Sequence, residues 1–312
     1  MPLISVIIPA YNAETTLPAA IESVLSSTHD SLELIAVNDG STDATEQIIS
    51  EYVARDERVR LISKQNGGVS SARNAALDAA RGDYVAFLDA DDRIAPDAYE
   101  YMLGALLHTD ADIVQCASLY GDSLVLCSPP SPVTIEGLSV SREASRYLFG
   151  GACCKLFKRE ILDGVRFSER YKVGEDALFC FEAMKRAKKT ILTDGVKYYY
   201  TDNPSSATHN LSDPRYLSDH CNMLDFAEIH LGAPEVLDFL RTEKVRWALN
   251  AISKMLRART VFRDVEERAR KILRLSLKYA KGHIGFTKKD RVKMLMICYA
   301  YTLYKLLIPK SH

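Results

Sequence analysis

Five short apolar runs, each closed by polar residues and most followed by a stretch with helical spacing, constrain this chain more than any other feature. The runs are Ser5 to Pro9 (SVIIP), Glu33 to Asp39 (ELIAVND), Val59 to Lys64 (VRLISK), Tyr84 to Asp91 (YVAFLDAD) and Asp112 to Tyr120 (DIVQCASLY). Between them, Thr15 to Ser27, a segment from about Thr42, Ser70 to Arg81 and Pro96 to Leu107 carry helical spacing, with capping oxygens at Ser41-Thr42-Asp43 and a proline at Pro96. Strands that read as continuous apolar runs are buried on both faces, so the pattern predicts an α/β fold with a mainly parallel central sheet flanked by helices. In such sheets ligands bind beyond the carboxyl ends of the strands. The polar clusters fall there: Ala10-Tyr11-Asn12, Asp39-Gly40-Ser41, Asn66-Gly67-Gly68 and Asp89-Ala90-Asp91-Asp92.

The pattern weakens further along. Cys127 to Val133 reads as a loop, Ala177 to Lys188 as an amphipathic helix and Ile191 to Thr201 as a tyrosine-rich strand. After Pro214 strand signals cease and the chain reads as helical, with breaks near Gly232 to Pro234 and Gly282 to Gly285. A length of 312 residues allows one large core with a helical appendage. The expected organisation is a catalytic region over 1–213, split into a nucleotide-binding half (1–110) and an acceptor half (111–213), then a helical region over 214–312. Seven cysteines without a CxxC pair indicate neither a zinc framework nor a disulfide scaffold and fit a reducing, cytoplasmic setting. No secretory signal is visible, because the first apolar run is strand-length and lacks a basic region before it.

Three carboxylates within four residues, Asp89, Asp91 and Asp92, repel one another at the end of a buried strand unless a cation compensates. Magnesium or manganese is the natural compensator, since both favour oxygen ligands and bridge carboxylates to substrate phosphates. In extended backbone Asp89 and Asp91 would point the same way, one to the metal and the other to a ribose or the metal's waters. The plain alternative is a polar turn ahead of the next helix. Asp39 suits a hydrogen bond from a base such as uracil, or a turn in the DGSTD segment. Glycines at 67 and 68 let backbone approach a ligand, and Arg73 and Asn74 lie in the following helix near phosphate or base; a surface arginine is the alternative. Glu175 and Asp176 begin a helix, where the dipole favours anions, and a carboxylate there suits a general base as well as a simple cap. His209 in NPSSATH reads as surface or core more readily than as a ligand.

Taken in order, SVIIPAYN, VNDGSTD, NGGVSSARN, FLDADD and GEDALF resemble family 2 glycosyltransferases of the GT-A fold, of bacterial cell-surface polysaccharide type, over residues 3 to 210. The resemblance implies an inverting transfer from a nucleotide-diphosphate sugar, with UDP favoured, to a hydroxyl of a glycan or lipid-linked glycan. It implies that Pro9, Tyr11 and Asp39 hold the nucleoside and that Asn66, Gly67 and Arg73 line the same pocket. Asp89 would contact the ribose or the metal's waters, and Asp91 would bind the divalent cation, with Asp92 the other register. Asp176 would be the general base with Glu175 in support, and Lys155 would lie near the acceptor side. The processive-synthase pattern QxxRW is absent, since Arg246-Trp247 lacks the glutamine, so single-sugar addition is expected.

The apparent neutrality of the chain hides a basic tail. Arg241 to His312 holds 19 Lys/Arg against 5 Asp/Glu, whereas the whole chain nets −1. Within it, Val292 to Ile308 is apolar but interrupted by Lys293 and Lys305, too short to span a bilayer. Such a segment suits either a helix on an anionic membrane surface, placing the protein peripherally on the inner face of the plasma membrane, or a helix packed on the body. No nucleic-acid partner is expected, because no recognition module is present and the acidic body would repel the backbone. Neither a GxGxxG nor a GxxxxGK loop occurs, which argues against dehydrogenases and phosphate-loop enzymes. A non-catalytic nucleotide-sugar-binding or membrane-recruited scaffold is the remaining rival.

Overall fold

The computed structural model describes residues 1–121, 124–126, 128–137, 151–171, 174–201, 225, 244–245, 247–249, 251–253, 255 and 263–279. His209 and the segment 292–308 lie outside them, as do the helix breaks expected near 232–234 and 282–285. One unit, Met1–Ser139, Arg146–Arg170 and Glu175–Asn203, carries the sheet, and a second carries the C-terminal helix.

In the first unit β1 (Ile4–Ala10), β2 (Leu32–Asn38), β3 (Val59–Ser63) and β4 (Tyr84–Phe87) alternate with α1 (Leu17–Leu25), α2 (Thr45–Arg55) and α3 (Val69–Ala79). These strands pair in parallel in the order β3-β2-β1-β4. The apolar runs dictate this: every residue of β1 and β2 is buried, as a sheet covered on both faces requires. Pro9 tolerates its central strand because pairing with β4 stops at Ile7, so its missing N–H breaks no ladder bond on that side.

Beyond β4 the sheet becomes mixed. After the two-residue β5 (Arg93–Ile94) and α4 (Ala98–Thr109) come β6 (Ile113–Tyr120), β7 (Leu124–Leu126), β8 (Val133–Glu136) and β9 (Lys155–Lys158). Then α5 (Glu175–Arg186) leads into β10 (Lys189–Tyr200). β9 runs antiparallel between β4 and β6, β10 lies parallel to β6, and β5 closes that edge against β10. This insertion of β9 matters for chemistry: with Ala86 facing Leu156, the residues just before β9 lie beside the end of β4.

Behind the sheet edge Phe87, Phe157, Phe167 and Phe179 form one aromatic cluster, with Phe167 and Phe179 stacked at 4.0 Å and the other contacts edge-on. In the second unit α6 (Arg263–Tyr279) buries Val265, Ala269 and Leu273 at helical spacing. Trp247, Ala248 and Ile252 are also buried there, and Asp225 pairs with Lys244 at 2.5 Å and with Arg268. No helix among the described residues is long and apolar enough to cross a membrane.

Candidate active site

The carboxyl ends of β1 and β2 are stapled by their loops. Asn12, held at φ 49°, accepts from the Thr42 N–H at 2.9 Å, and its own N–H donates to Ser41 Oγ at 3.0 Å. The Glu14 carboxylate accepts from the Ala44 N–H at 2.9 Å, and Asp43 accepts from the Thr45 N–H at 3.0 Å to start α2. Tyr11 projects from this frame with 52% of its surface exposed, an uncommon investment for a large ring unless something stacks on it.

Asp39 is buried and holds the β3–α3 loop. Its Oδ1 accepts from Lys64 Nζ at 2.7 Å and the Gly67 N–H at 3.0 Å, and its Oδ2 accepts from the Gly68 N–H at 2.7 Å. Each carboxylate oxygen has two acceptor positions, so Oδ2 keeps capacity for one more donor. The two loops also pack backbone to backbone: Gly40 sits at φ +71°, and a Cβ there would lie 2.7 Å from the Asn66 nitrogen. Asn66 and Gly67 themselves are exposed at the site's rim.

The acidic segment after β4 differs from the sequence expectation. The strand ends at Phe87, and Asp89 to Asp92 form a turn closed by the Asp92 N–H donating to the Asp89 carbonyl at 3.1 Å. The extended-strand argument that pointed Asp89 and Asp91 the same way therefore does not hold; crowding of like charges favours the turn, in which Asp89 and Asp92 take different partners. Asp89 accepts from Arg73 Nη2 at 2.8 Å. Asp92 is 4% exposed and accepts from the Tyr198 hydroxyl at 2.7 Å and the Thr201 N–H at 2.9 Å. Burial, then the charge of Asp89, push the Asp92 carboxyl up to about 7. Asp91 stays partly exposed at the head of the turn.

Arg73 joins this turn to α5. It is only 4% exposed, which rules out the surface reading, and its Nη1 donates to Glu175 at 3.2 Å while its guanidinium lies 5.1 Å over the Phe167 ring. The flanking carboxylates raise its pKa against the effect of burial. Asn74 was expected near phosphate or base; instead its amide clamps the backbone of Phe167 from both sides, at 2.9 and 2.8 Å. That clamp fixes the ring beneath Arg73.

Glu175 is buried, and burial with the adjacent Asp176 charge pushes its carboxyl up to about 7. Burial also raises the Asp176 carboxyl, against the opposing cations Arg73 and Lys155, and its Oδ1 accepts from the Ala177 N–H at 2.7 Å. Lys155, 2% exposed, donates from Nζ to the Gly151 carbonyl at 2.6 Å. The structure thus brings Arg73, Asp89, Glu175 and Asp176 into one electrostatic cluster, while Asp39, Asn66 and Gly67 form the adjoining loop. Tyr198 is the residue that sequence reasoning missed. Its tie to Asp92 spans 106 positions, and only the tyrosine-rich character of its strand hinted at it.

A metal fits this donor set in one form only. No group of three His, Cys, Asp or Glu able to enclose a metal occurs among the described residues. A magnesium or manganese ion shared with substrate phosphates needs only one or two protein carboxylates, and the acidic turn offers that. Burial, then the charge of Asp89, disfavour the ionised Asp92 carboxyl, a shift that a cation at the turn would oppose. A groove at the opposite end of β4, lined by Lys158, Arg159 and Arg166 among others, has Lys158 and Arg166 paired at 2.6 Å with Glu160 and Asp78, and carries no comparable chemistry.

Residues 5–165 match the sequence profile described as Glycosyl transferase family 2. The chain belongs to that family. A Bacillus subtilis relative described as uncharacterized glycosyltransferase EpsJ is 31% identical over 218 residues, covering 67% of this chain and 63% of that protein. The minor teichoic acid biosynthesis protein GgaB of the same organism is 33% identical over 264 residues, covering 78% of this chain and 29% of that protein. The chain therefore spans less than two thirds of the length of both relatives. Among solved structures, S. aureus TarS 1-349 in complex with UDP-GlcNAc superposes with a TM-score of 0.68 at 21% identity, covering 96% of this chain and 92% of that one. The likeness shows the fold: this glycosyltransferase family member has the GT-A architecture expected from its sequence.

Proposed function

We propose that this family 2 chain transfers a sugar from a nucleotide-diphosphate donor, UDP-linked by preference, to a hydroxyl of a glycan or lipid-linked glycan, with inversion, in cell-surface polysaccharide biosynthesis. One observation carries the reading: buried Arg73 draws the acidic turn and the start of α5 together at the carboxyl edge of the sheet. Donor charge and acceptor proton are thus handled side by side. The UDP-GlcNAc bound by the TarS neighbour and the teichoic acid role in the name of GgaB support donor and pathway class.

In this reading Tyr11 stacks on the base, Pro9 and Asp39 shape its pocket, and the Asn66-Gly67 backbone lies against the nucleoside. Asp89 faces the ribose or metal-bound water, and Asp91 holds the divalent cation. That cation would neutralise charge on the departing diphosphate. Asp176 takes the proton of the attacking hydroxyl as oxygen closes on the anomeric carbon and the bond to diphosphate breaks on the opposite face. Glu175 supports Asp176, and Lys155 lies on the acceptor side. Residues 1–213 would form the catalytic domain, with the donor half at 1–110 and the acceptor half at 111–213. The helical 214–312 would bring it to the inner face of the plasma membrane from the cytoplasm.

Calorimetry with UDP, GDP, dTDP and CMP, each with and without Mn2+, tests this. One nucleotide should bind in a metal-dependent way, lose binding in Asp91→Ala, and keep it in Asp176→Asn while turnover stops. No binding by folded wild-type protein would move the scaffold reading to the front.

A further inference from the structure

The resemblance placed Arg73 in the nucleoside pocket, yet its geometry spends it elsewhere. Both terminal nitrogens are committed, Nη2 to Asp89 at 2.8 Å and Nη1 to Glu175 at 3.2 Å. One face of the guanidinium lies on Phe167, which Asn74 holds from α3 itself, and its Nε is buried with no hydrogen-bond partner. Two of the five guanidinium N–H donors thus hold carboxylates from two different elements, and the buried Nε contributes no bond of its own. The partners lie 16 and 102 positions away in the chain and belong to two different working parts, the turn that meets the donor and the helix start that meets the acceptor.

We propose that Arg73 is a positioning residue that locks the acidic turn to the start of α5, so that the donor and acceptor ends of the site hold a single geometry together. The inference rests on the transferase reading above and deepens it. A planar fork suits this purpose: guanidinium spreads its donors over separate nitrogens in fixed geometry, whereas the three donors of a lysine ammonium share one nitrogen on a flexible stem and fix the two carboxylates less rigidly. Glu175 then acts on the donor end at a distance. Releasing it frees one arm of the fork, and Asp89 loses its fixed orientation although nothing at the turn has been altered.

Charge alone predicts the opposite sign. Removing a negative group near an anion site strengthens binding of a nucleoside diphosphate, so the direction of the Glu175→Gln effect separates a mechanical lock from a simple field. The experiment is a double-mutant cycle on binding of the nucleoside diphosphate that wild-type protein takes with Mn2+, followed by calorimetry, with urea midpoints recorded for each protein. Arg73→Lys should weaken binding at least tenfold. At pH 8.5, above the raised Glu175 value of about 7, Glu175→Gln, whose amide oxygen still accepts from Arg73 but without the charge that holds the arm, should weaken it at least threefold. In the Arg73→Lys background Glu175→Gln should add nothing. Should Arg73→Lys fail to fold, Asp89→Asn releases the other arm and the same non-additivity is expected. Additive effects, or a Glu175→Gln variant that binds as tightly as wild type or tighter, overturn the inference while leaving the transferase reading standing. Absence of any nucleotide binding by wild type overturns both, and is recognised by the first titration alone.

Discussion

At Glu175 two effects act in the same direction. Burial and the neighbouring Asp176 charge both favour the protonated carboxyl, which is pushed up to about 7 from an ordinary value of 4.5. A carboxyl whose folded pKa is raised binds more protons folded than unfolded between these values, so stability is present below about 4.5 and falls as pH rises through about 7. A shift of this size corresponds to about 3 kcal/mol at most for the metal-free protein. Glu175→Gln removes the titration but keeps an acceptor for Arg73. Its urea midpoint should therefore gain on wild type between pH 5 and pH 7.5, and equal slopes for the two proteins across that range would show that Glu175 is not the titrating group. Burial also raises Asp176, the base of the proposed reaction, and a base lifted above the ordinary carboxylate range grips the incoming proton more firmly.

The elements were legible where burial alone determined them. β1, β2 and β4 lie inside a covered sheet, so their apolar runs announced themselves, and the helices between them followed to within a few residues. The short antiparallel strands were not legible: β5 has two residues and β7 three, too few for any periodicity, and β9 lay hidden in CCKLFKRE, a segment notable on other grounds. The acidic turn was read as strand because its composition continued the run, whereas charge repulsion bends it. Its anchoring by Tyr198 and Thr201 depends on β10, more than a hundred residues later. Arg73 was picked out as functional from its place at a helix start, but its two partners could only be seen in three dimensions. Asp39 illustrates the intermediate case, since both of its sequence readings, turn former and ligand acceptor, rest on one side chain. An asparagine there must present an amide NH2 toward the Gly68 N–H or toward Lys64, putting donor against donor. Asp39→Asn should cost about 1–3 kcal/mol of stability. It should also weaken nucleotide binding and raise hydrogen exchange across residues 64–71. Unchanged exchange there would mean that the loop holds itself without Asp39.

At the scale of the whole molecule, charge is divided unevenly, and the location of the cations decides what they can meet. The basic surplus lies between Arg241 and His312, and α6 shows how one part of it is arranged. Val265, Ala269 and Leu273 are turned inward, Arg263, Lys271 and Arg274 are exposed, and Arg268 is tied to Asp225. Val265, Ala269 and Leu273 are thus engaged in packing, and the exposed cations of this stretch can meet an anionic surface only electrostatically. Lys288, Lys289, Arg291 and Lys293 add a denser cluster at the start of the interrupted apolar run. Each cation near an anionic bilayer surface contributes about 1 kcal/mol, and that attraction is screened by salt. The full chain should therefore sediment with vesicles containing phosphatidylserine, but not with purely zwitterionic ones, and should be released between about 0.1 and 0.5 M salt as the screening length shortens. Changing the four tail cations to glutamate should abolish sedimentation while leaving nucleotide binding intact. Equal sedimentation with zwitterionic vesicles would point to the apolar run as the anchor, and retention on duplex DNA but not on anionic vesicles would replace the membrane by a nucleic acid as the tail's partner.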